Sequence, residues 1–178
     1  MPGTLTAVIG VTGFKRIRLT KALSDMTFDL AEALPRLLPR AIAWAEARCA
    51  EVCAQGTCLD NDGLRLARAV GVGHPEQIRT MLVKCLPMPE DAELREAALA
   101  TGLLGPDGIG LTLGYGIYLR ADSLGNRLLS HECRHVHQYE TAGSIAAYLP
   151  AYLEQIVTCG YERAPFEIDA RSHERDVV

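Results

Sequence analysis

Residues Leu128 to Glu140 read Leu-Leu-Ser-His-Glu-Cys-Arg-His-Val-His-Gln-Tyr-Glu, and within them His131-Glu132-Cys133-Arg134-His135 is an HExxH string. On a helix, residues four apart share a face, so His131 and His135 can aim their rings at one ion while Glu132 projects toward a water beside it. Imidazole and carboxylate donors suit Zn²⁺, and a catalytic zinc takes three protein ligands and keeps a fourth position open. The flanking Leu128, Leu129 and Val136 would bury a face of this helix, so histidines buried with it need partners. Everything else in the chain is read from this helix outward.

Upstream, Gly110-Leu-Thr-Leu-Gly-Tyr-Gly-Ile-Tyr-Leu-Arg120 alternates as a strand does, with Leu111, Leu113, Tyr115, Ile117 and Leu119 on one face. Its glycines at 110, 114 and 116 leave the backbone bare, as expected for a bulge, or where a ligand or another chain comes close. The run reads either as an edge that another chain approaches or as a plain core hairpin. Asp122 or Ser123 can cap the motif helix. Downstream, Ser144 caps a second helix that Gly160 ends, and Pro165 opens a last one with Glu167 in its first turn.

The third ligand comes from Glu167, Asp169, His173, His137 or Cys159. Glu167 is the best placed, because it follows His135 by 32 residues, room for one helix and a return. His137 and Cys133 project from other sides of the motif helix, and Asp169 does not share the direction of Glu167. Donors for a tetrahedral oxyanion could be Tyr139, Tyr148, Tyr152, Tyr161 or His173. Asp169 or Glu140 could orient the histidines, and Gln138 could pack or cap.

The first hundred residues look helical. A run rich in Ala, Leu, Glu and Arg starts at Asp25 or Thr27, and Pro35 and Pro39 divide it into a short helix ending near Leu34 and a longer one from Pro39 toward Gly56. Asp60 or Asn61 caps a helix to Val70, Pro75 opens another, and Asp91 to Ala100 forms a further one. The expected fold is α+β and mostly α, one domain over 1–178. A helical subdomain covers 1–104, and a short strand or hairpin with the metal-binding helices covers 105–178.

Composition narrows the partners. The net charge is −4, and the 18 basic residues are scattered with no block that could track phosphates, so nucleic acid is not expected. No apolar run reaches the roughly 18 residues of a membrane span. In Met1–Phe14 the positive charges follow the apolar run, which is not the order of a secretory signal. The six cysteines (49, 53, 58, 85, 133, 159) then read as free thiols, and cytoplasm is the expected compartment.

The HExxH string, the glycine-punctuated strand before it and the segment Pro165-Phe-Glu-Ile-Asp-Ala170 resemble the gluzincin branch of zinc metallopeptidases. More narrowly they resemble small bacterial zincin-like proteins with HExxHxxQ followed by ExxA, here His131, Glu132, His135, Gln138, Glu167 and Ala170. The likeness covers roughly 107–175. Ala164 or Arg171 stands where gluzincins carry polar partners of the third-ligand helix. The resemblance implies Zn²⁺ on His131, His135 and Glu167, with Glu132 as general base for hydrolysis of a peptide or protein substrate. The alternative is a zinc-stabilised binding or regulatory protein without turnover.

Overall fold

The computed structural model describes residues 30–177, so Met1–Phe14 and the expected helix start at Asp25 or Thr27 lie outside the described residues. Four strands make one sheet in the order β1 (Thr57–Cys58), β2 (Arg79–Val83), β4 (Gly116–Arg120), β3 (Gly110–Leu113). Around it lie α1 (Leu30–Gln55), α2 (Asn61–Ala69), α3 (Ala92–Thr101), α4 (Asn126–Ala142), α5 (Ile145–Cys159) and α6 (Pro165–Ser172). The architecture is α+β and mostly helical, with a small sheet.

The central strand β4 pairs in parallel with β2 (Arg79 opposite Gly116) and antiparallel with β3 (Gly110 opposite Leu119). Its side chains alternate between two cores, as the pleat requires. Ile117 and Leu119 pack with Val70, Cys133 and Val136 beneath α2 and α4. Tyr118 packs with Ala45, Val52 and Leu149 beneath α1 and α5. Ile78 and Ile117 are fully buried, each contributing roughly 1.5–3 kcal/mol of transfer free energy. At Gly116 an added Cβ would stand 3.0 Å from the Val52 Cβ, so glycine is what lets α1 cross the sheet this closely.

Several sequence expectations are corrected. Pro35 and Pro39 do not divide α1, which runs unbroken for 26 residues. Both prolines are exposed and one turn apart, so their distortion falls on the solvent side, where water can serve the backbone. The helix expected from Pro75 is only a 3₁₀ turn at Pro75–Gln77, and the chain then becomes β2. There the β1 and β4 ladders take up its backbone groups, and that pairing outweighs any local helix preference. Of the strand or hairpin expected over 110–120, the structure has the hairpin, closed by a two-residue turn. Gly114 stands at its first central position with φ +60°, as such turns demand, and β3 forms one edge of the sheet.

The cap of α4 is not Asp122 or Ser123. Gly125 occupies that position with no side-chain bond, because Asp122 and Ser123 are bound to each other and to Arg120. Three other predicted helix ends agree with the structure. The side chain of Asp60 accepts from Gly63 N, that of Ser144 accepts from Ala147 N, and Gly160 ends α5 with φ +77°. All six cysteines are free thiols. No helix among the described residues is long and apolar enough to cross a membrane.

Candidate metal centre

Helix α4 buries Cys133 and Val136 against the sheet, turns His131, His135 and Gln138 toward α5 and α6, and sets Glu132 against β3. Two side chains fix α6 in front of it. The Arg134 guanidinium grips Asp169 with two hydrogen bonds of 2.7 and 3.0 Å and also donates to Val70 O. The Gln138 amide donates to Phe166 O at 3.0 Å and Asp169 Oδ2 at 2.8 Å. Gln155 meets the start of α6 by accepting from Phe166 N at 2.9 Å, in place of a cap from Ala164. Glu167, in the first turn, is thereby driven into the space between α4 and α5, where it is 1% exposed.

Three side chains bring their donors together there. His131 Nε2 and His135 Nε2 are 3.2 Å apart; Glu167 Oε2 stands 3.5 Å from the first and Glu167 Oε1 3.3 Å from the second. A tetrahedral zinc with bonds of about 2.0–2.1 Å needs its donors about 3.3 Å apart, and the two imidazoles and the carboxylate stand at that spacing. Two imidazole nitrogens this close cannot both present bare lone pairs to each other; a proton or a cation has to serve them. Glu167 Oε1 accepts from Tyr152 OH at 2.8 Å, but Oε2 is buried without a hydrogen-bond partner among the described residues, with His131 Nε2 at 3.5 Å and Arg171 Nη1 at 3.7 Å. An orphaned carboxylate oxygen beside two facing imidazoles is the donor set a divalent ion would complete.

The electrostatics agree with a charged Glu167. Burial alone would raise its carboxyl, but the adjoining His131 and His135 imidazoles and the Tyr152 hydroxyl outweigh it and hold the group well below the usual carboxylate range. Burial likewise works against protonation of His135, and the Glu167 carboxylate reverses the direction, leaving the imidazole above its ordinary value. Burial and the same carboxylate push the Tyr152 and Tyr161 phenols up, so both remain protonated donors.

The outward ring nitrogens have partners as well. His135 Nδ1 faces Gln138 Oε1 at 2.9 Å, and that oxygen also accepts from Tyr148 OH. His131 Nδ1 faces Glu174 Oε1 at 3.2 Å, while Arg127 pairs with the other oxygen of Glu174. Such bonds fix which nitrogen of each ring is left for an ion. Glu174 had no local signal in the sequence. Gln138, read there as packing or capping, orients His135, and Asp169 acts one step behind by holding Gln138. Glu140, the other proposed orienting group, is elsewhere: it accepts from Gly73 N, His74 N and Tyr115 OH.

Glu132 lines the same cavity as the three donors. Its Oε2 accepts from Thr112 OH at 2.7 Å, and Gly110 on β3 leaves room for it, since an added Cβ there would stand 2.1 Å from Glu132 Oε1. The bare backbone noticed in the sequence thus serves a carboxylate of the chain itself. Thr112 was not foreseen, because its partner is 20 residues away.

The remaining third-ligand candidates are engaged otherwise. Asp169 is held by Arg134 and Gln138, His173 Nδ1 faces Asp169 O, His137 Nδ1 faces Gly71 O, and Cys159 donates to Gln155 O. Among the proposed oxyanion donors, Tyr148 and Tyr152 are bonded to Gln138 and Glu167. Tyr139 is buried in the core beneath α1. Tyr161, just after α5, is the half-buried phenol at the cavity. Comparison with protein-family profiles, with curated proteins and with solved structures finds no match to this chain.

Proposed function

We propose that the chain is a zinc-dependent amide hydrolase, a metallopeptidase, with His131, His135 and Glu167 as ligands and Glu132 as general base. The observation that carries this reading is the cluster of two imidazole nitrogens and a carboxylate at spacings of 3.2 to 3.5 Å, with one buried carboxylate oxygen left without a hydrogen bond among the described residues and a second carboxylate beside it. A zinc ion there would lower the pKa of a water in its open position and polarise the scissile carbonyl.

The chain's own groups supply the rest. Glu132, held by Thr112, takes a proton from the attacking water and returns it to the leaving nitrogen as the C–N bond breaks. Tyr161 donates to the oxygen that gains charge. Gln138 and Glu174 keep the two rings in the tautomers that ligation requires. The outer edge of β3 is where an extended peptide backbone would lie, because β4 covers the other edge.

Elemental analysis of the purified chain tests the ligand set: one zinc per chain is expected, lost in Glu167→Ala, and unchanged affinity in that variant would remove Glu167 from it. Turnover is tested by chelator-sensitive cleavage of a peptide library. A zinc-bearing chain that cleaves nothing would instead be the non-catalytic, zinc-stabilised protein.

A further inference from the structure

The cavity that ends at Glu132 and Glu167 has hydrocarbon walls over most of its length. One stripe of α1 lines it, from Leu30 through Leu34, Leu37 and Ala41 to Trp44, a span of about 21 Å at the helical rise. The facing walls come from α3 and α5, including Ala98 and Leu153. The cavity volume is about 150 Å³. Among the described residues no lysine, arginine or aspartate lines it, and the charged groups at its end are the carboxylates and imidazoles already described. The hydroxyl of Thr101, a polar group on the α3 wall, is spent on Ala97 O and Ala98 O.

This wall chemistry decides what can enter. The backbones of helices satisfy their own hydrogen bonds, so a peptide main chain threaded between α1, α3 and α5 would bury unpaired amides. A hydrocarbon group needs no such partners and gains from leaving water. The scissile amide would stay at the polar end, beside Glu132 and the β3 edge. Much of the wall comes from α1 and α3, outside the residues 107–175 that carry the zincin resemblance.

We propose that this cavity binds a hydrocarbon group attached next to the scissile amide, so that the enzyme selects substrates by an acyl chain or a bulky apolar side chain. The inference rests on the hydrolase reading above. Both sources share the same chemistry, a neutral apolar group larger than a methyl.

Binding can be read without turnover, because Trp44 is the sole tryptophan and lines the cavity. Zinc-loaded Glu132→Gln protein is titrated with straight-chain primary amides while tryptophan emission is followed. Each buried methylene is worth roughly fourfold in affinity. The expected midpoint therefore falls at least tenfold from butanamide to octanamide, and a response independent of chain length overturns the proposal. Wild-type protein is then given N-acyl dipeptides of increasing acyl length and a peptide library. A rise with acyl length identifies an acyl chain as the source, cuts flanked by Leu, Phe or Met identify a side chain, and neither trend overturns the selectivity. Ala98→Phe and, independently, Ala41→Phe should remove the chain-length dependence in folded protein. Trp44 responding without any hydrolysis removes the hydrolase reading and leaves the pocket; hydrolysis without a Trp44 response does the reverse.

Discussion

Helix α4 carries two groups of histidine and glutamate less than two turns apart, and they behave differently. Toward its start, His131, Glu132 and His135 face a cavity where a buried oxygen of Glu167 lacks a hydrogen bond among the described residues. Toward its end, His137 and Glu140 clamp the loop after α2. His137 faces Gly71 O at 2.7 Å, and Glu140 takes the N–H groups of Gly73 and His74 and the Tyr115 hydroxyl. The residue types are the same. Satisfaction separates them: a carboxylate with three donors holds a loop in place, whereas one with an oxygen unserved beside two imidazoles has capacity left for an ion.

The comparison breaks most sharply at Glu132. Glu132→Gln should keep stoichiometric zinc and lose hydrolysis by about 10²–10⁴-fold, the usual worth of a general base; activity near wild type would sink the mechanism. Gly110→Ala comes next. Its Cβ would force Glu132 aside, and displacement by about 1 Å can cost on the order of 100-fold in turnover, with zinc content unchanged by elemental analysis. Gln138→Ala should weaken zinc binding by about 10–100-fold in competition with a chromogenic chelator, because His135 loses its orienting partner.

Glu140→Ala should have the smallest effect on chemistry. Zinc affinity and turnover should stay at wild-type values, while denaturant unfolding registers a loss of about 1–2 kcal/mol from the loop clamp. Loss of zinc in that variant would erase the distinction between the two ends of α4.

What the sequence showed of the site follows local rules. His131 and His135 share a helix face by spacing alone, and Pro165 placed Glu167 in a first turn, so the three donors could be named before any contact was known. Thr112 and Glu174 could not, because their partners lie 20 and 43 residues away with no periodic pattern linking them. The fold divides the same way. Asp60, Ser144 and Gly160 act within a few residues and were legible. Strand β2 was not, since its partner β4 lies beyond α3 and β3, and its five residues carry no alternation that opposes a helix. Pro35 and Pro39 misled because each removes only one hydrogen bond from a helix whose packing in the core holds it together, and both face solvent.

The parallel pairing of β2 with β4 has a kinetic consequence. The hairpin of β3 and β4 closes across two residues, an event of about 1–10 μs. Setting Arg79 against Gly116 instead requires the chain between them to close as a loop, and such non-local contacts are gained slowly because their entropy is spent first. Thr112 and Gly110, which hold and make room for Glu132, lie inside that loop. The seat of Glu132 should therefore reach its final form only when β2 docks, and a refolding experiment should see native β-sheet and the ability to bind zinc at full affinity arrive in the same late phase.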